Sequence, residues 1–386
     1  MKKNHLLREA RLKRGWSQQQ LADFAGLSLS TIERAERGNP LRIDSIQRLC
    51  ECLEKTPEEL GLVPSVETEK NQPADCGTSH ISNQEQLHII LDSDYLTILE
   101  DNVTNRWTLY HTGGTSRAMR GLNLLIQHIS NCANLLRGDN LCERTLRLLS
   151  LAYQLQGSIL RDMRRYSEAH RAHRKALLIA KELYDPELIS AALVREGITF
   201  KQQDFLPEAI AYFKQALETV KHLGYSKLEG YILLALSEAQ ALARQPRESW
   251  RSIYLAEKSF EHESSLPETS LIRTSKTSLT AQKGVNSVIL QNFEQAIEYI
   301  DTSLIHYDPA FIRGRARLYI QKAEAYFKLG QLDACVQNVR DSYRMAQSAG
   351  SNQIMDKAKR LYHHLIQSQW GKERKVAELG NFLGEK

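Results

Sequence analysis

The sequence predicts an all-α protein in two parts: a bundle of five short helices over residues 1–62, and an α-solenoid of stacked helical hairpins over residues 150–370. Three observations predict it. Residues 4 to 60 carry short helical patterns broken at Gly15, Gly26 and Gly38. From Ser116 onward the apolar residues fall at helical spacing. Within that stretch, small and apolar landmarks recur at fixed offsets, shifted by about 40 residues from one set to the next.

At 386 residues the chain exceeds one ordinary core and has room for two or three domains. The formal net charge of +5 permits nucleic-acid binding without demanding it. Six cysteines, Cys50, Cys52, Cys76, Cys132, Cys142 and Cys335, form no Cys-x-x-Cys pair and sit mostly in apolar helical patterns. Reduced, packed thiols are expected rather than a zinc site or a disulfide framework. Residues 1–5 lead directly into an amphipathic helix, and no apolar run approaches about 18 residues. A cytoplasmic location without a membrane span is expected.

In the first part, Ser17 and Ser28 stand where helix N-caps belong. Gly26 supplies the tight turn between the second and third helices. On the third helix Ile32, Ala35 and Glu36 share an inward side, so Ser30, Glu33, Arg34 and Arg37 project outward, with Leu29 at the edge. An exposed helix bearing hydroxyl, arginine and a short apolar side chain suits reading of the DNA major groove. Free N–H groups at the start of the second helix attract a phosphate, and Gln18 adds a side-chain donor there.

Residues 63–90 are polar, hold Pro64 and Pro73 and lack periodicity, which predicts a linker. Residues 91–149 are expected to hold connecting and capping helices; residues 84–112 alone are ambiguous, and Thr112-Gly113-Gly114-Thr115 marks a break. The first landmark set is Gly157, Ala169, His173 and Ala176, and the second is Gly197, Ala209, Phe213 and Ala216. Ser237, Ser249, Ile253 and Ala256 follow, then Gly284, Ala296, Ile300 and Ser303, then Ala323, Cys335, Val339 and Ser342. Small residues let two antiparallel helices approach, and the larger residues fill the space beside the crossing. One hairpin cannot bury its own apolar face, so units must stack. Helices over 117–136 and 352–368 would flank the array, and residues 371–386 are expected to form a polar tail.

The landmark pattern resembles the tetratricopeptide repeat (TPR) over roughly residues 150 to 350, with a period longer than the family's usual 34 or so. The first and third units depart from the pattern, with His173 for the usual aromatic and Ser249 for the usual alanine. The segment from Leu7 to Ala22 and on through Gly38 resembles the Xre/Cro-type, lambda-repressor-like helix-turn-helix family over residues 5 to 61. That resemblance implies phosphate contacts from Gln18 and Ser28 and base reading by Leu29, Ser30 and Arg34, with Thr31, Glu33 and Arg37 on the same DNA-facing helix. It also implies a salt bridge between Arg11 and Glu36 that ties the first helix to the third.

No nucleophile elbow, zinc helix or dinucleotide fingerprint is present, so no enzymatic activity, cofactor or metal is expected. His170 and His173 lie three apart, but His173 falls on a packing landmark. The expected function is sequence-specific regulation of transcription from double-stranded DNA, with a homodimer on a palindromic operator. The architecture is similar to peptide-sensing regulators, which implies a peptide or protein ligand in the concave groove. Groove candidates from the first helix of each unit are Arg161, Arg195, Lys201, Glu238, Arg317, Gln321 and Glu324. The alternative is a TPR interaction scaffold in which the helix-turn-helix serves only tethering or dimerisation.

Overall fold

The computed structural model describes residues 4–39, 41, 43–53, 55, 57, 59–62, 93–136, 140–261, 272 and 274–385. The expected linker 63–90 lies outside them, as does Cys76. The chain divides into two compact units, Met1–His80 and Ile81–Lys386.

In the first unit, α1 spans His5–Lys13, α2 Gln18–Ala25, α3 Leu29–Glu36 and α4 Ile43–Leu53. Ser17 caps α2 through a reciprocal pair: its hydroxyl accepts from the Gln20 N–H, and the Gln20 side chain accepts from the Ser17 N–H. The Ser28 hydroxyl accepts from Thr31 at the start of α3. Gly26 closes α2 with φ +62°, in the left-handed region the tight turn requires. Leu7, Leu21, Ile32, Leu49 and Leu60 are fully buried together. Each such side chain contributes about 1.5–3 kcal/mol. The described residues after α4 form a turn that brings Leu60 into this core, and Asn4 Nδ2 holds the turn by donating to the Leu60 carbonyl at 2.8 Å.

The second unit is helical throughout its described length. Helix α5 spans Ser93–His111, α6 Thr115–Met119 and α7 Leu122–Leu135. The helix expected over 117–136 is thus two, divided at Gly121, whose φ of +71° no helix interior allows. Five hairpins follow: α8 (Asn140–Asp162) with α9 (Tyr166–Glu182), α10 (Pro186–Gln202) with α11 (Leu206–Val220), α12 (Ser226–Leu242) with α13 (Pro246–Glu261), α14 (Lys276–Ile289) with α15 (Phe293–His306), and α16 (Ile312–Lys328) with α17 (Leu332–Ala349). Helices α18 (Asn352–Ile366) and α19 (Arg374–Leu383) end the unit. The expectation of a polar tail over 371–386 fails here. Val376, Leu379 and Leu383 recur at helical spacing and are buried against Ile354, Leu361 and Leu365.

The landmark offsets are helix crossings. A Cβ on Gly197 would stand 2.6 Å from Phe213 Cε1, and one on Gly284 would stand 2.7 Å from Ile300 Cγ1. Gly157 meets the His173 ring in the same way. A hydroxyl bond repeats with them: Ser150 donates to Ala176 O, Ser190 to Ala216 O and Ser342 to Ala316 O, each spanning 26 residues. The turn inside each hairpin also repeats one left-handed residue: Arg164, Asp204, Arg244, Gln291 and Gly330, with φ from +60° to +75°. The irregular third unit makes its own compensation. Ser249 donates to Ser237 O at 2.9 Å, and Asn286 of the next unit donates to both hydroxyls, so the polar replacements are satisfied.

The array also closes on itself. Thr115 Oγ1 donates to Ala349 O at 2.5 Å across 234 residues of chain. Arg164 pairs with Asp356, and His111 meets Phe311 edge-on with ring centres 6.4 Å apart. Helices α5 and α6 therefore meet the start of α16 and the end of α17, the α8–α9 turn meets α18, and a cavity lies between these segments.

Candidate DNA-reading helix and ligand cavity

Helix α3 presents two chemically different faces. Ile32 is fully buried, Ala35 is 1% exposed and Glu36 is 8% exposed. Leu29, Ser30, Arg34 and Arg37 are exposed, while Thr31 and Glu33 are half-buried. The buried anchor is Glu36. Arg11 grips it from α1 with Nε at 2.6 Å from Oε1 and Nη2 at 3.1 Å from Oε2, a paired geometry that fixes helix orientation as well as charge. Arg11 Nη1 also donates to the Trp16 carbonyl at 2.7 Å, which ties the α1–α2 turn to the same guanidinium.

Gln18 lies at the start of α2 as expected, but its side-chain amide donates to Glu36 Oε2 at 2.6 Å. It joins the α1–α3 clamp. Ser28 is exposed and its hydroxyl lies 2.9 Å from that of Ser30 and 2.8 Å from that of Thr31. Arg37 pairs with Glu33 one turn back at 3.1 Å. Arg34 and Leu29 thus leave the helix as exposed cation and apolar group, with the serine hydroxyls beside them.

In the second unit, five of the seven groove candidates line one cavity of about 710 Å³: Arg161, Arg195, Lys201, Glu238 and Arg317. Gln321 and Glu324 lie further along α16 and do not line it. Periodicity did not pick out Trp107, Tyr110, Asp162 and Arg313, which line the cavity with them. The aromatic pair comes from α5, in the segment whose pattern was ambiguous; its 3-residue spacing was the available signal.

Charge in the cavity is arranged in two clusters. Glu238 receives Lys201 and also Arg317, whose Nη2 is 2.8 Å away. Burial would raise the Glu238 carboxyl, but Arg317 and Lys201 outweigh it and hold the group at about 2. Burial brings the Lys201 ammonium down to about 8 despite Glu238. In the second cluster, Arg313 Nη1 stands 2.8 Å from Asp162 Oδ2, close enough for an ion pair though not aligned as a hydrogen bond. Arg161 Nε is 4.0 Å from the other Asp162 oxygen. Arg195 stacks over the Trp107 ring at 4.7 Å and donates to Gln154 and to Ala191 O. Burial and the neighbouring cations leave His173 well below its ordinary pKa of 6.5, so it is a neutral packing group. Among the described residues no cluster of His, Cys, Asp or Glu fits a metal ion, and no helix is long and apolar enough to cross a membrane.

A helix-turn-helix family model matches residues 7–60, and a tetratricopeptide repeat model matches residues 316–348, which cover α16 and α17. No curated protein sequence matches the chain. Among solved structures, a Rap protein complexed with Competence and Sporulation Factor is similar, at 12% identity and a TM-score of 0.49, over 76% of this chain and 87% of that one. BtubC (BKLC) from P. vanneervenii is similar at 14% identity and a TM-score of 0.42, over 59% of this chain and 92% of that one. The chain carries an Xre-type helix-turn-helix domain at its N-terminus and a tetratricopeptide repeat within its second unit, whose described elements are helices.

Proposed function

We propose that the protein is a sequence-specific, DNA-binding regulator of transcription whose helical array receives a peptide or protein partner. The observation that carries this reading is the division of α3, with Glu36 locked beneath by Arg11 while Leu29, Ser30 and Arg34 stand exposed above. A helix held rigidly by its inner face can place short side chains against base edges. Ser30 and Arg34 supply donors for base acceptors, and Leu29 supplies apolar contact for a thymine methyl. The exposed Arg8, Lys13 and Arg14 nearby provide phosphate attraction. The net charge of +5 is mild, so tight binding at physiological salt calls for two copies on a palindromic operator, with half-sites about 34 Å apart.

The two matched families are binding folds, which favours recognition over catalysis as the role of the cavity. Selection of genomic fragments by the purified full chain, with and without cell extract, tests the reading. A palindromic consensus whose occupancy changes with extract is expected. Fragments recovered without sequence preference would leave the chain as an interaction scaffold.

A further inference from the structure

We propose that the cavity of the second unit holds its ligand by a carboxylate, received at the guanidinium of Arg161. This rests on the reading of the array as a peptide-receiving module and names the chemistry that does the receiving.

The charge balance points this way first. Among the described residues lining the cavity, seven are Lys or Arg and three are Asp or Glu. Glu238 is already engaged by Lys201 and Arg317. Asp162 is divided between Arg161 and Arg313, and its closer contact is to Arg313. The third, Asp308, accepts from the Ala310 N–H at 2.9 Å, so each acid of this cationic chamber already faces a cation or a donor of its own chain.

Arg161 shows where the missing anion belongs. It is only 8% exposed, yet Nε and Nη1 are buried with no hydrogen-bond partner, and only Nη2 donates, to Tyr110 Oη at 3.3 Å. A guanidinium carries five N–H donors and no acceptor, so unmade bonds on a buried one ask for an oxygen anion. The surroundings choose among anions. Arg313 lies over the Tyr110 ring and Arg195 over the Trp107 ring, so the cations stand on aromatic ground. Leu234 and Ile320 add apolar wall. A volume of about 710 Å³ suits a ligand the size of a short peptide, with apolar side chains beside its anionic group, better than a lone phosphate.

Asp162 then acts as the resident competitor. An arriving carboxylate displaces it from Arg161 and shares Arg313 with it. This gives the proposal a consequence that ordinary structural damage does not imitate: Asp162→Asn should strengthen binding.

The full chain is titrated with four pentapeptide pools, read by native mass spectrometry. They have free or amidated C-termini, each with or without Asp and Glu; inorganic phosphate is a fifth arm. Pools bearing a carboxylate should bind at least about tenfold more tightly than the amidated, acid-free pool. Whether the free C-terminus or the acidic side chains carry the preference identifies the source of the carboxylate. Arg161→Gln should abolish the preference, and Asp162→Asn should increase affinity several-fold. Equal binding of the amidated, acid-free pool overturns the carboxylate anchor and leaves the peptide reading intact. Phosphate binding more tightly than every pool overturns the anchor as stated, as does weaker binding by Asp162→Asn. No binding by any pool removes the peptide reading itself.

Discussion

Arg313, at the start of α16, stacks its guanidinium 3.9 Å above the ring of Tyr110 in α5. With the Arg313–Asp162 pair and the Thr115–Ala349 hydrogen bond, this contact closes the helical array on itself. Arg313→Ala removes a desolvated cation–π contact and an ion pair together, and should cost about 2–3 kcal/mol. Hydrogen exchange should rise in α5, α6 and the end of α17 and stay unchanged in α10 and α11. Uniform exchange across the array would show that the closing contact carries no local stability.

The first unit hangs on Glu36. Glu36→Ala leaves the Arg11 guanidinium buried without its carboxylate, at a cost of about 3–5 kcal/mol. Amide exchange over residues 29–36 should accelerate, and DNA affinity should fall although Glu36 points away from any groove. Replacing both Arg11 and Glu36 with apolar residues of similar volume should recover most of the stability.

His173 makes the array acid-sensitive. Its pKa in the folded chain lies well below the ordinary 6.5, and neither ring nitrogen has a hydrogen-bond partner. The unfolded chain therefore binds a proton that the folded chain refuses. The stability is complete above pH 6.5 and is lost as pH falls below it. His173→Phe supplies the aromatic that Phe213 provides one unit later. It should raise stability by about 1–3 kcal/mol by removing an unsatisfied polar group. Thermal melts at pH 7 and pH 5 should lie closer together in the variant than in the parent. An unchanged gap would assign the acid sensitivity to other groups.

Gly330 occupies the left-handed turn position that Arg164, Asp204, Arg244 and Gln291 fill in the other hairpins. A Cβ there would meet only Trp370 Cζ2, at an ordinary contact distance of 3.9 Å, so backbone strain is what opposes a side chain. Gly330→Ala should cost about 1 kcal/mol, measured by denaturant melts. A loss of several kcal/mol would mean that the site is sterically closed.

Much of this was legible in the sequence, for reasons that individual residues show. Gly157 with His173 and Gly197 with Phe213 could be read as crossings because a missing Cβ and a large ring sixteen positions on leave few other packings. Ser17, Ser28 and the inward row Ile32, Ala35, Glu36 followed from capping and periodicity alone. Gln18 shows the limit: its sequence position is the same whether the amide faces a phosphate or bends to Glu36. The tail reads as polar because Lys372, Glu373, Arg374 and Lys375 open it, while Val376, Leu379 and Leu383 form a stripe that only a neighbouring helix makes buried. The repeat pattern puts Arg161 and Arg195 on the groove side but carries no sign of the chamber they share with Tyr110 and Arg313. That chamber depends on ring closure between segments about two hundred residues apart, and local spacing carries no record of such contacts.

Whether α3 reads bases decides the function of the chain. The decisive measurement is the affinity of the full chain for its selected palindrome and for random duplex at the same physiological salt, repeated with Arg34→Ala. A preference of at least about a thousandfold is expected, and Arg34→Ala should erode it by about 1–3 kcal/mol while leaving binding to random duplex nearly unchanged. Equal affinity for both duplexes, or a preference that survives the loss of Arg34 undiminished, would contradict it.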